Sequence, residues 1–283
     1  LGSCFIGEKI VINLIAEIGL NHIADMKIIE DLIKLAALSG FSYVKFQKRN
    51  PDKSTPRHMR NIIRDTPWGR MSYIDYRKKI ELGKSAYSKI DMMCWEHGVS
   101  WFSSVWDIDS AKFFSEKGKN DLVKIPSAKI TDKKLLVFCR NNFEKIIIST
   151  GMSTEKEIEQ AVELCNPSVI FHSVASYPTE PEDLHLEYIN NLRLKYPGKE
   201  LGYSGHELGI DLSLLSIPLG VRWIEKHITL NKNMWGSDQK MSIEPKELFE
   251  LSEKVKIVEK CFSNMKNRKI LNCEKDKRKQ LRG

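Results

Sequence analysis

The chain predicts a single α/β domain, a (β/α)8 TIM barrel. Three observations carry this. Eight short apolar runs recur along the 283 residues, helical patterns lie between them, and no G-x-G-x-x-G follows the first run. Alternation of strand and helix calls for a parallel sheet. Eight repeats in a chain of this length suit a closed barrel, and the missing glycine fingerprint weakens a doubly wound sheet.

The runs span 10–18, 43–47, 100–105, 122–125, 145–149, 169–173, 200–204 and 221–227. Most are apolar throughout rather than alternating, as parallel strands buried on both faces require. Between the first two, residues 26–39 place Ile28, Ile29, Leu32, Leu35 and Ala36 at helical spacing. Thr154 followed by Glu157 marks a capping box, and Ile158, Ala161, Val162 and Leu164 give the next helix its apolar face. Pro245 opens a last helix reaching Phe262. Residues 49–77 are long, polar and punctuated by proline. They predict an extended loop after the second strand, in which Trp68 and Tyr73 either pack the loop onto the body or form part of a lid. The barrel is expected over residues 1–263, and 264–283 form a basic tail.

The net charge of +8 invites a nucleic-acid reading, but eight Lys/Arg against two acids lie between positions 264 and 283. That distribution fits a solvated end better than a binding surface, so no nucleic-acid partner is expected. No apolar run has spanning length and no leader pattern is evident, which predicts a soluble cytoplasmic protein without membrane partners. The six cysteines (Cys4, Cys94, Cys139, Cys165, Cys261, Cys273) form no C-x-x-C pair and read as reduced thiols.

In a barrel, chemistry collects where strands end. His206 and His227 each close a late strand, and Glu225 shares a face with His227 at a spacing of two. Two imidazoles beside a carboxylate form a candidate metal site; alone, they read first as hydrogen-bonded structural histidines. Lys45 and Lys124 stand inside apolar strands, where a cation is costly without an anion. Ser149-Thr150-Gly151-Met152-Ser153 leads into a helix N-terminus, a favourable place for phosphate. The combined reading is a phosphate and carboxylate site beside a divalent metal.

Seven ordered motifs then resemble the sialic acid synthase (N-acetylneuraminate synthase) family. They are Ala16-Glu17-Ile18-Gly19-Leu20-Asn21-His22, Val44-Lys45-Phe46-Gln47, Lys124-Ile125-Pro126-Ser127, Ser149-Thr150-Gly151-Met152-Ser153, Tyr177-Pro178-Thr179, Gly202-Tyr203-Ser204-Gly205-His206 and Ile224-Glu225-Lys226-His227. Each alone is weak; in order, from about residue 10 to about residue 262, they are specific. The resemblance implies condensation of phosphoenolpyruvate with a sugar aldehyde resembling N-acetylmannosamine, giving a nonulosonic acid, and a homodimer. It implies a divalent metal, manganese first with magnesium or cobalt as substitutes, on His206 and His227. It assigns phosphoenolpyruvate to Lys45, Ser104, Lys124, Ser127, Ser149 and Ser204, and the sugar to Asn21 and Tyr177. Glu17, Gln47, Glu225 and Asp238 surround the metal, its waters and the aldehyde.

Departures bear on the acceptor. Ser104 stands where the family commonly has Thr, Val105 replaces a proline, Gly205 replaces an Asp before His206, and Ala175 falls where some members have Asn. Family members commonly continue into a small antifreeze-like domain that hands an arginine to the acceptor across a dimer. This sequence stops about twenty residues after its last predicted helix. Either a shortened chain or a short form is therefore expected, with Arg57, Arg60, Arg64 and Arg70 of the 49–77 loop as candidate replacements. Two other readings stay open. One is a 3-deoxy-ulosonate synthase using a shorter or non-acetylated aldose; the other is a non-catalytic sugar-binding barrel. A metal-dependent sugar isomerase would leave both lysines without an anion.

Overall fold

The computed structural model describes residues 10–116, 121–262 and 268–282. Its strands are β1 (Asn13–Gly19), β2 (Tyr43–Lys48), β3 (Ile63–Thr66), β4 (Gly69–Ser72), β5 (Ser100–Val105), β6 (Leu122–Ile125), β7 (Lys145–Ser149), β8 (Val169–Ser173), β9 (Glu200–Gly205) and β10 (Trp223–His227). Eight of them close a parallel barrel in the order β1-β2-β5-β6-β7-β8-β9-β10. The eight predicted runs all lie on these barrel strands. The first begins later than expected because the Ile12 N–H leaves the ladder and donates to Glu259 at 2.7 Å, fastening the chain to the last long helix.

Helices return the chain outside the barrel. Met26–Leu38 is capped by Asp25, whose side chain accepts from the Lys27 and Ile28 N–H groups. Glu155–Cys165 starts at Thr154 with the expected capping box, and Pro245–Cys261 starts at Glu244 with a second one. Their apolar faces join the outward side chains of the strands, such as Ala16, Val44, Ile148 and Ile224, in the main core.

The inside of the barrel is layered. Ile15, Phe102, Ile147, Phe171 and Trp223 form a separate apolar plug with Val169. Phe171 fits there because residue 202 is glycine: a Cβ at that position would stand 2.1 Å from the ring. Two residues further along several strands, toward their carboxyl ends, the inward positions turn polar. Phe102 gives way to Ser104, Ile147 to Ser149, Phe171 to Ser173 and Trp223 to Glu225. Period-two geometry aims all of these at one point above the plug.

The 49–77 segment is more ordered than an extended loop. It holds a short helix at Pro51–Ser54, the antiparallel hairpin β3–β4, and the start of the helix Tyr73–Ile80. The hairpin closes over Pro67-Trp68, with Thr66 Oγ1 donating to the Gly69 carbonyl at 2.7 Å and Gly69 supplying a positive φ. Trp68 and Tyr76 pack edge-on to Trp235, which ties this module to the loop after β10. That is the packing alternative for Trp68, while the Tyr73 ring lies tilted beside Tyr76.

The expected barrel limits at 1–9 and 263 lie outside the described residues, as do Cys4, tail positions 264–267 and Gly283. The rest of the basic tail, expected as a solvated end, includes an exposed helix at Lys275–Arg282 with no buried residue. No helix among the described residues is long and apolar enough to cross a membrane.

Candidate active site

A cavity of about 230 Å³ opens above the plug, at the carboxyl ends of the strands. Of the fourteen site residues predicted from sequence, twelve line it: Glu17, Lys45, Gln47, Ser104, Lys124, Ser127, Ser149, Tyr177, Ser204, His206, Glu225 and His227. Each comes from a strand end or the turn just after it.

Four buried charges form the floor. Lys45 Nζ lies 2.7 Å from Glu17 Oε2, 2.9 Å from Ser104 Oγ and 3.4 Å from Glu225 Oε1. Lys124 Nζ meets both Glu225 oxygens at 2.9 Å, and the Ser204 hydroxyl donates to Oε1 at 3.0 Å. Gln47 donates to Glu17 at 2.8 Å. Lys124 also lies 4.5 Å from the centre of the Phe171 ring, so the top of the plug supports the cation. Two ammoniums and two carboxylates cancel, which is how a polar layer survives inside a barrel.

The two carboxylates nonetheless differ. Burial raises the Glu17 carboxyl to about 7; Lys45 opposes this, and the neighbouring Glu225 charge adds to it. Burial also works against ionising Glu225, but Lys124 and then Lys45 overcome it and hold that group at about 2. Burial presses Lys124 down to about 8, while Glu17 and Glu225 hold Lys45 above its ordinary value despite its burial. The pair Glu17–Lys45 is close in space, yet Glu17 is the carboxyl of this cluster that takes a proton most readily.

The histidines stand at one side, their ring centres 5.7 Å apart. Burial keeps both below their ordinary pKa and therefore neutral near pH 7; for His227 the second cause is His206. His206 Nδ1 contacts the Val174 carbonyl at 2.6 Å. Only an N–H can satisfy that oxygen, so the proton sits on Nδ1 and Nε2 keeps its lone pair. His227 Nδ1 is buried without a hydrogen-bond partner. Two neutral imidazoles with free lone pairs beside a polar cavity fit a divalent metal. Among the described residues no three His, Cys, Asp or Glu side chains converge as a closed cage. His206 and His227 are the residues of this site that would hold such an ion. Tyr177 covers His206 at 4.2 Å between ring centres.

Two predicted residues do not line the cavity. Asn21 is buried and its amide donates to the Ile228 carbonyl and Ser242 Oγ, both at 2.8 Å. It fastens the loop after β1 to the loop after β10 through its N–H groups, while its Oδ1 has no hydrogen-bond partner. Asp238 lies 3.9 Å from His227 Nδ1.

Trp106, Met152 and Ala128 line the cavity and were not among the predicted site residues. Trp106 follows directly on β5, so the strand-end rule had the means to find it. Gly205, where the family commonly has Asp, is explained by Glu207: a Cβ at 205 would stand 2.4 Å from its carboxylate.

Comparisons with known proteins agree with this geometry. A family model described as "NeuB family" matches residues 32–267. The chain is 36% identical to the N-acetylneuraminate-9-phosphate synthase of Drosophila melanogaster over 83% of its own length and 64% of the fly protein, so it spans just under two thirds of that relative. It is 32% identical to the N,N'-diacetyllegionaminic acid synthase of Campylobacter jejuni, covering 89% of this chain and 77% of that one. Among solved structures, the N-acetylneuraminic acid synthetase of Leptospira borgpetersenii in complex with citrate superposes with a TM-score of 0.85 at 28% identity, over 100% of this chain and 96% of that one. By motif order, barrel and matched length, the chain belongs to the NeuB family.

Proposed function

We propose that the protein condenses phosphoenolpyruvate with an amino-sugar aldehyde resembling N-acetylmannosamine, giving a nonulosonic acid and phosphate. The observation that carries this is the pair Lys45 and Lys124: two ammoniums buried at the bottom of one cavity that also presents two neutral histidines. Glu17 and Glu225 balance this pair in the protein, and an incoming anion can take over part of those contacts. Phosphoenolpyruvate supplies a phosphate and a carboxylate, and the relatives named above are synthases of this class of sugar acid.

In this reading each lysine exchanges part of its contact with Glu17 or Glu225 for the arriving anion. Ser104, Ser127 and Ser204 add hydroxyl donors. Ser149 Oγ, buried and without a partner in the protein, is free to donate to the phosphate. His206 and His227 would hold a divalent metal, manganese first, with magnesium or cobalt as substitutes, and it would supply Lewis acidity toward the aldehyde oxygen.

The methylene carbon of phosphoenolpyruvate forms a bond to the aldehyde carbon, and the aldehyde oxygen takes a proton. Glu17 is placed to give it, being buried at the cavity wall and oriented by Gln47. Water adds to the former enol carbon, and cleavage of its C–O bond to the phosphoryl group releases phosphate. Glu225, ionised between both lysines, keeps the floor neutral until the substrate arrives and is placed to orient that water. Tyr177, exposed over His206, marks the side from which the sugar enters.

The test is incubation with Mn2+, phosphoenolpyruvate and a panel of aldoses, reading phosphate release together with product mass. Release with an N-acylated hexosamine supports the proposal. Release only with a plain or shorter aldose favours a 3-deoxy-ulosonate synthase. Binding of metal and phosphoenolpyruvate without turnover of any sugar favours a non-catalytic barrel.

A further inference from the structure

Three of the four loop arginines expected to serve the acceptor are engaged elsewhere. Arg60 donates to the Thr55 and Asp52 carbonyls, Arg64 lies 4.6 Å from the Tyr73 ring centre, and Arg70 stands exposed beside Asp65. The arginines at the two ends of the segment, Arg49 and Arg77, are placed differently. Their side chains are only 10% and 2% exposed.

With Lys48 they surround one carboxylate, Glu81. Lys48 Nζ is 3.2 Å from it and the Arg49 backbone N–H donates to it at 3.2 Å, but Arg49 Nε and Arg77 Nη2 each stop at 3.8 Å. Those last two separations are too long for hydrogen bonds. Arg49 Nε, Arg77 Nε and Arg77 Nη2 are all buried without a hydrogen-bond partner. Asp238 is the second anion acting on Arg49, so three cations share two carboxylates. Burial, and next Arg77, press the Arg49 guanidinium below its ordinary pKa. A buried cluster with surplus positive charge and unfilled donors is unfavourable until another anion joins it.

Arg49 is the member that packs against the cavity wall. Its guanidinium stacks 3.8 Å from the Trp106 ring centre and donates to Gln47 Oε1, and both of those residues line the cavity wall. It follows β2, away from the Ser127 and Ser149 turns assigned above to phosphoenolpyruvate.

We propose that Arg49, backed by Arg77, forms an anion subsite for a phosphate carried by the acceptor, so that the sugar used is a phosphorylated amino sugar. This rests on the synthase reading above. A phosphate dianion supplies both the charge and the acceptor oxygens that the cluster lacks, and a guanidinium fork matches it. The product then keeps that phosphate, as the printed name of the fly relative's product does.

The experiment compares kcat/KM for N-acetylmannosamine and for its 6-phosphate, with Mn2+ and saturating phosphoenolpyruvate. The phosphorylated sugar is expected to be preferred by at least about tenfold, and Arg49→Gln to cut that ratio to within about threefold. Arg49→Lys keeps the charge without the fork and is expected to fall between; it replaces Arg49→Gln if the latter does not fold. Equal kcat/KM for the two sugars in the parent, or an unchanged ratio in both variants, overturns the subsite and leaves the synthase reading standing. No release with either sugar overturns the synthase reading instead. Calorimetric titration of the phosphoenolpyruvate-loaded protein with N-acetylglucosamine 6-phosphate against N-acetylglucosamine then decides the subsite separately. At least about tenfold tighter binding of the phosphate, lost in Arg49→Gln, supports it; equal binding overturns it.

Discussion

Lys226 and Glu207 form a clasp between the two histidine strands. Lys226 Nζ donates to the Glu207 carbonyl at 2.8 Å and stands 3.1 Å from its carboxylate, with 0% and 1% side-chain exposure. One residue directly precedes His227 and the other directly follows His206. The side chains beside the cavity histidines thus grip each other on the outside of the barrel, while Tyr203 and Ser213 donate to the remaining carboxylate lone pairs at 2.8 and 2.7 Å. The clasp ties together the residues next to both imidazoles.

Lys226→Met is therefore expected to leave a buried carboxylate without its cation and to destabilise the fold by about 3 kcal/mol or more. The double variant Lys226→Met with Glu207→Gln removes the orphaned charge and is expected to recover part of that loss. Urea unfolding of parent, single and double variants checks this. A double variant no more stable than the single would show that the charge pairing is not what the clasp contributes.

Lys124→Ala is expected to weaken phosphoenolpyruvate binding by about a hundredfold or more, since it removes a cation from the floor and leaves Glu225 facing the incoming anion. Titration calorimetry reads this directly. Binding as tight as the parent's would sink the site assignment. Glu225→Gln reports the converse, because it frees both lysines from their shared carboxylate.

The barrel was legible because its strands are apolar without interruption and its polar residues fall at their ends. Lys45 and Lys124 stood out in sequence for the same reason that they matter in the fold: a cation inside an apolar strand demands a partner. The Glu207–Lys226 clasp was hidden because Lys226 alternates with His227 and faces outward, and only the helix Asp211–Leu215 closing over it reveals that this outward face is buried. That Asn21 lies off the cavity lining was hidden for a related reason. Its position just beyond β1 is where substrate contacts collect, but the loop after β10 reaches across and takes its N–H groups. The β3–β4 hairpin was missed because its strands are four residues each and mostly exposed, so they carry no apolar run to read.

Gly202→Ala tests the plug. A methyl at 202 would stand 2.1 Å from the Phe171 ring, contact that a ring inside a closed barrel has little room to relieve. The variant is expected to lose about 1–3 kcal/mol, and to weaken phosphoenolpyruvate binding as well, because Phe171 supports Lys124. Phe171→Leu in the same chain makes room and is expected to restore part of the stability but not the binding. Strict additivity of the two substitutions in a double-mutant cycle would show that the contact is not the cause.

His22 gives the stability a dependence on pH. The ring is buried, and burial, with Arg77 adding to it, lowers its pKa from 6.5 to about 4. Its Nδ1 accepts from the Ala24 N–H at 2.8 Å, a contact that the neutral ring satisfies. Between those two values the unfolded chain binds a proton that the folded one refuses. The contribution is therefore complete above pH 6.5 and is lost as pH falls toward 4, amounting to about 2 kcal/mol between pH 7 and pH 5. Burial lowers His172 as well, so the parent's total slope has more than one source. The difference between parent and His22→Asn, which keeps an acceptor for Ala24, isolates this one. The unfolding free energy of His22→Asn is expected to fall less than the parent's from pH 7 to pH 5, by about that amount. Parallel curves would place the His22 proton on the folded protein after all.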